Sequence, residues 1–310
     1  MMASDMRTAP PRGAGPGRGA QPWTRDRVEN RGLEILRWAV IAALVVVTLF
    51  PFYYMILLSV RGLEDVVLNP GALWVSVAEL NLSTYADVLR STESGGQGFL
   101  RFMTNSGLVA AATVALTLLV SIPGAYAISR LRFFGRRQVG ALFLSVYLFP
   151  SILLAVPLFV FFTRIGIRGS LGGLIVVYIS QTVPVSIYML RNYFETIPES
   201  LEEAAALDGC SRLGVIRRIS LPLALPAIMA NALFVFMIAW NEFLFALLFL
   251  VENRDRWTVS LGLSQLAGSI EIPTTVLMAG SVVLTVPIIV VFLASERLLT
   301  EGLTAGAEKG

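Results

Sequence analysis

The chain reads as an all-α integral membrane protein with six transmembrane helices. Of its 310 residues, 55% are apolar and only 15% are charged. That is too little charge to coat a soluble domain of this size. Six stretches of membrane length carry no charge or nearly none: 38–60, 102–129, 138–163, 169–190, 219–241 and 272–295. A helix needs about 20 apolar residues to cross a ~30 Å hydrocarbon core. The short alternating segments of a membrane β-barrel are absent.

The elements follow in order. Residues 1–33 hold four Pro, five Gly and several Arg with little apolar content. They read as a disordered cytoplasmic arm, either inert or in weak contact with anionic lipid. The first span leads into an outside segment, 61–101. Asn69-Pro70-Gly71 and Ser94-Gly95-Gly96 mark turns within it. Between them, 82–89 has short helical periodicity, and the segment is long enough to touch a partner on the outer face. The other outside loops, near 164–168 and 252–271, read as short. Pro51, Pro123, Pro150, Pro157, Pro184 and Pro287 fall in the spans. Each removes a helical hydrogen bond. The kinks either help build a cavity or gate, or are tolerated because neighbouring helices satisfy the freed carbonyls.

Arginine placement sets the expected orientation. Seventeen of the 24 Lys+Arg lie in 1–37, 130–137, 191–218 and 296–310. The positive-inside rule therefore puts both termini in the cytoplasm. The net charge of +3 reflects this topology and gives no reason to expect nucleic-acid binding. Cys210 is the only cysteine and cannot form an internal disulfide. There is no histidine, which removes the commonest general base and metal ligand. No secretory cleavage signal follows Arg37.

The polar stretch between the fourth and fifth spans has its own local logic. Pro198 suits a first helical turn, and Glu199, Glu202 and Glu203 suit a helix N-terminus. Leu201, Ala204, Ala205 and Asp208 share one small, mostly apolar face. Gly209 permits a left-handed turn that ends the helix. Ser211 can cap a second helix over 212–219, and Pro222 and Pro226 mark the start of the fifth span. The segment 198–222 reads as a helix–turn–helix across the cytoplasmic face. On chemistry alone it either seats in a groove of another protein or lies on the membrane surface.

Its residues also match a pattern. Glu203-Ala204-Ala205, Gly209 and Ile219-x-Leu221-Pro222 stand at the intervals of the EAA loop. The chain therefore resembles permease subunits of binding-protein-dependent type I ABC importers. The C-terminal run Gly302-Leu303-Thr304-Ala305-Gly306-Ala307-Glu308-Lys309-Gly310 resembles the tail of maltose-permease-type carbohydrate permeases. Glu308 departs from that pattern, where an apolar residue is commoner. The resemblance covers about 36–310. It implies a permease domain over 34–295 and a cytoplasmic tail over 296–310. It also implies a homologous second permease, two ATPase subunits and an extracytoplasmic sugar-binding protein or lipoprotein. Glu203, Ala204, Ala205, Asp208, Gly209, Ile219, Leu221 and Pro222 would couple to the ATPase. Thr304, Gly306 and Lys309 would reach toward the ATPases. The chain has no phosphate-binding loop and one Lys, at 309. ATP and Mg would thus be held by the partner subunits, with no cofactor on this chain.

Trp240-Asn241-Glu242-Phe243 reads as lying well inside the fifth apolar span, and the same four residues recur in sugar permeases of this type. An ionisable group at that depth faces protein, water or a pathway. These residues either bind sugar or hold the bundle through a buried hydrogen bond. Tyr178 and Gln181 are further candidates for the path. The implied function is ATP-driven import of a di- or oligosaccharide. A polyol phosphate permease and an ion-coupled secondary transporter using Glu242 stand as alternatives.

Overall fold

The computed structural model describes the backbone of residues 25–307 and the side chains of residues 31–296. Contacts divide the chain into two units, Met1–Tyr53 and Tyr54–Gly310. The first consists, among described residues, of most of α1 (Arg25–Ser59). This helix starts earlier than expected, so 25–33 are helical, while residues 1–24 of the expected arm lie outside the described residues. No Pro or Gly falls between Pro22 and Gly32, so nothing breaks the helix before the apolar run.

The second unit is built of helices and turns, with no strand among the described residues. After α1 come α2 (Leu63–Leu68), α3 (Ser83–Leu89) and α4 (Phe99–Arg130). Next are α5 (Arg136–Leu148), α6 (Ser151–Arg164) and α7 (Leu171–Thr196). The polar segment forms α8 (Glu199–Leu207) and α9 (Arg212–Val215). The last helices are α10 (Leu221–Asn241), α11 (Leu244–Leu250), α12 (Val259–Ala267) and α13 (Thr274–Ala307).

Among the described residues, five helices are long and apolar enough to cross a membrane, and α5 with α6 makes a sixth span if the bent pair is counted as one. The stretch 138–163 is therefore not the single straight span expected of it. It bends by 89° at Phe149-Pro150. Pro150 lacks an N–H and crowds the residue before it out of the helical region. Phe149 accordingly sits at φ −73°, ψ 127°.

Two other expectations change. The loop 252–271 contains the helix α12, whose Gly262 lies against the Phe102 ring of α4; a Cβ there would sit 2.4 Å from Cδ2. The expected tail over 296–310 does not begin as a separate element, because α13 runs on to Ala307 with no proline after Pro287. Thr304 and Gly306 belong to that helix; their side chains and Lys309 lie outside the described residues.

The helices α4, α7, α10 and α13 pack around two apolar clusters. One gathers Phe99, Phe102, Leu174, Tyr178, Trp240, Phe245, Phe249 and Leu261 toward the end that carries the 61–98 segment. The other gathers Ala125, Tyr126, Leu190, Phe194, Ile197, Ala224 and Ile228 toward the α8–α9 end. Between them runs a buried polar band: Thr113, Thr117 and Ser121 on α4, Thr182 and Ser186 on α7, and Asn231 on α10. The Thr117 and Thr182 hydroxyls lie 2.7 Å apart, and Thr182 donates to the Tyr178 carbonyl at 2.8 Å. A hydroxyl has one proton, so Thr117 is the donor of that pair. Small side chains and interhelical hydroxyl bonds let membrane helices approach closely where apolar burial cannot drive association.

The segment 61–98 is organised by Arg61, whose side chain is fully buried. Its Nε donates to Asp65 Oδ2 at 2.5 Å, and its terminal nitrogens donate to the carbonyls of Asp65, Asn69 and Ala72. The Arg61 Nε bond, with that from the Asn69 amide, holds the Asp65 carboxyl below its ordinary range. The Arg61 guanidinium is pushed up by the same partner. The short α3 falls where the periodicity placed it.

Candidate functional site

The polar segment after α7 is a helix–turn–helix built from its own sequence. Pro198 stands just before α8, and Glu199 and Glu202 occupy its first turn. Acidic groups there meet the positive end of the helix dipole. Gly209 ends the helix at φ +85°. The Gly209 N–H donates to the Ala206 carbonyl at 3.1 Å, and the Cys210 N–H to the Ala205 carbonyl at 3.0 Å. This pair of bonds satisfies carbonyls that the last turn would otherwise leave bare. Ser211 then caps α9, its hydroxyl accepting from Gly214 N at 3.2 Å.

The second helix does not stop at 219 as expected. It widens into a π turn, Ile216–Ser220, that runs straight into α10. Pro222 explains the widening, because its ring displaces the carbonyl four residues back. The turn brings the Ser220 side chain fully inside.

Little of this segment is packed. Ala205 is the only buried residue of α8, and Val215 of α9. Glu203, Ala204 and Asp208 are exposed, as is Pro222. Ile219 and Leu221 are half-buried, and Leu221 packs against the cluster of Tyr126 and Leu190. Leu201, Leu207 and Leu213 are exposed by 45%, 90% and 57%. Leu201, Ala204 and Leu207 recur every third residue and share one outward face of α8.

What holds this segment was not read from the sequence. Glu202 is the hub. Its Oε1 accepts from Arg130 Nε at 3.1 Å and from Ser220 Oγ at 3.0 Å, and its Oε2 accepts from Tyr126 Oη at 3.0 Å. Arg130 also donates to the Ile197 carbonyl at 2.5 Å and lies 3.7 Å from Glu199. The side chains of Arg130 and Glu202 are only 7% and 14% exposed. Glu202 and Glu203 look alike in sequence. Only α8's orientation separates them, and the sole advance signal was Arg130 ending an apolar span.

The groups of the fifth span do not lie inside a continuous helix as expected. The chain leaves α10 at Asn241, and Glu242 is extended at φ −63°, ψ 131°. The Glu242 carboxylate accepts from Phe245 N at 2.8 Å and from Ala246 N at 3.2 Å, so it caps α11. Tyr178 donates its hydroxyl to the same carboxylate, and Ser260 donates to the Glu242 carbonyl at 2.6 Å. Trp240 Nε1 donates to the Leu284 carbonyl on α13 at 3.1 Å. The structure thus brings Tyr178, Trp240 and Glu242 together as bonds between helices. Asn241 is exposed, its amide donating to the Met237 carbonyl at 2.9 Å. Gln181 is half-buried, and its amide nitrogen has no partner among the described residues.

Comparison with known proteins bears on this arrangement. Residues 118–303 match the model of a family described as "Binding-protein-dependent transport system inner membrane component". An inner membrane ABC transporter permease protein of Escherichia coli is 37% identical over 271 residues, 87% of this chain and 94% of its own length. A trehalose/maltose transport system permease protein of Thermococcus litoralis is 36% identical over 92% of this chain and 99% of its own. A trehalose transport system permease protein of Mycobacterium tuberculosis is 35% identical over 88% of this chain and 97% of its own. Among solved structures, a bacterial ABC transporter involved in import of the acidic polysaccharide alginate superposes with a TM-score of 0.73. At 23% identity it covers 90% of this chain and 99% of its own, and it shows the type I importer permease fold.

Proposed function

The chain belongs to the family of binding-protein-dependent transport system inner membrane components, and on that premise we propose that it is a permease subunit of an ATP-driven sugar importer. Relatives named for trehalose and maltose transport support the sugar class. The working complex pairs this chain with a homologous permease, two ATPase subunits and an extracytoplasmic sugar-binding protein or lipoprotein. Both termini lie in the cytoplasm, following the arginine asymmetry. ATP and Mg are bound by the ATPases, and this chain does no covalent chemistry.

One observation carries the mechanism. The α8 helix turns Leu201, Ala204 and the almost fully exposed Leu207 outward, with Glu203 beside them. Leu201, Ala204 and Leu207 together make a contiguous apolar face on a polar segment, which a groove on a partner can cover. The apolar face seats in the ATPase, and Glu203 fixes its angle through charge. Closure of the ATPases on ATP moves α8, and the paired permeases rock between inward-open and outward-open states.

The ion-coupled alternative fits the geometry poorly. Both carboxylate oxygens of Glu242 already accept hydrogen bonds from Tyr178, Phe245 and Ala246. An ion there would compete with these three donors for the carboxylate. Sugar contacts on this chain fall to Asn241 and Gln181, whose polar atoms are not fully committed.

The test is uptake of labelled trehalose and maltose into proteoliposomes holding the complete complex. Saturable uptake that requires enclosed ATP and external binding protein is expected. Uptake driven by a proton or sodium gradient without ATP would overturn the reading.

A further inference from the structure

We infer that the Arg130–Glu202 pair is a positioning link that makes α8 and α4 move as one body when ATP binds. The inference rests on the reading above, that α8 is the dock for the ATPase. Arg130 lies in the last turn of α4, a helix of 32 residues. Glu202 lies in the first turn of α8. Their closest contact is 3.1 Å, with both side chains largely shielded from water.

Apolar burial ties α8 only weakly to α4. An open cleft of about 380 Å³ lies between the end of α4 and the α8–α9 segment, lined by Tyr126, Arg130, Glu202, Glu203, Ala206 and Cys210 among others. With one buried side chain on each helix, apolar packing holds α8 only weakly against α4, although α9 runs on through the π turn into α10. The charged hub resists sliding in several directions. Glu202 receives one bond from the guanidinium, one from the Tyr126 hydroxyl of α4 and one from Ser220 at the foot of α10. Arg130 in turn grips the Ile197 carbonyl, just before α8 begins. Charge-assisted bonds are stronger than neutral ones, which suits a joint that must keep its angle. At the far side of the joint, α4 is bonded to α7 through Thr117 and Thr182. A pull on α8 therefore reaches two spans through α4 and a third through Ser220.

Spin labels on Leu100→Cys, in the first turn of α4, and Leu213→Cys, on α9, in a Cys210→Ser chain would measure this directly. Both native leucines are exposed. Distances are taken by pulsed electron resonance in the complete complex, without nucleotide and with AMP-PNP and Mg. The unaltered link should hold the distance within about 2 Å between the two states. Glu202→Gln and Arg130→Met should each let it shift or broaden by about 5 Å or more on nucleotide binding. The exchange Arg130→Glu with Glu202→Arg should restore much of the narrow distribution. A nucleotide-dependent shift with the link intact, or no shift in either single variant, would overturn the inference. The docking reading is scored separately, by the ATPase content of a Glu203→Ala complex. Retention of ATPase and of stimulated hydrolysis there removes the dock, whatever the labels report.

Discussion

The Tyr178 hydroxyl on α7 donates to the Glu242 carboxylate at the break between α10 and α11. That one bond joins two spans, and the same carboxylate caps α11 through Phe245 N and Ala246 N. Removing an acceptor from buried donors costs about 1–3 kcal/mol. Glu242→Ala should lower the thermal midpoint of the purified complex and the yield of assembled complex. Tyr178→Phe leaves both backbone donors satisfied and should cost less. Changed sugar selectivity at an unchanged midpoint would instead assign Glu242 to the path.

A second prediction concerns close packing. A Cβ on Gly262 would lie 2.4 Å from Phe102 Cδ2 and 2.8 Å from Cε2. Phe102 is buried and touches both Phe99 and Trp257. It has little room to withdraw. Gly262→Ala should destabilise by about 1–3 kcal/mol, as overpacking commonly does. The double variant Gly262→Ala with Phe102→Leu should recover part of that loss in thermal unfolding.

The segment that Arg61 organises should respond to acid. Hydrogen bonds from Arg61 and Asn69 lower the Asp65 pKa. A lowered carboxyl contributes stability that is present above its ordinary range and is lost as pH falls through the lowered value. Limited proteolysis of 61–82 should therefore accelerate at pH below the ordinary carboxylate range. Asp65→Asn should cleave faster at neutral pH and lose that pH dependence. An equal acid response in both proteins would place the sensitivity elsewhere.

These features differ in how far they could be seen in the chain. Gly209 and Ser211 act within four residues of themselves, so the turn, the cap and α8 were legible from local spacing. Span count came from composition, which a membrane core enforces along any one segment. The bend at Phe149-Pro150 was visible only as a proline, because composition does not say whether a helix tolerates it. Glu202 and Arg130 are 72 residues apart, and their pairing exists only after α4 and the α8 segment meet. The π turn at Ile216–Ser220 follows from Pro222 being absorbed into one long helix, whereas reading it as a boundary ended the helix too soon. The polar group of the fifth span falls at the end of α10 instead of inside a continuous helix, and its bonds to Tyr178, Ser260 and Leu284 come from segments far off in the chain.

Gly209 offers a contrast between strain and crowding. A Cβ there meets nothing within 4 Å, yet φ is +85°. Gly209→Val should be strained by about 1–2 kcal/mol from the backbone alone. Gly209→Asn should be milder, since asparagine visits the left-handed region more readily. ATPase content of the purified complex should rank glycine first, asparagine next and valine last. Equal content in all three would show that the turn tolerates a different path.

The proposed coupling role of the α8–α9 segment is tested most directly by purifying Glu203→Ala and Gly209→Val complexes. ATPase subunit content and hydrolysis stimulated by loaded binding protein are measured in each. The account predicts that all spans insert and the sister permease stays bound, while ATPase content falls and stimulation is lost. Wild-type ATPase content together with wild-type stimulation in both variants would contradict it.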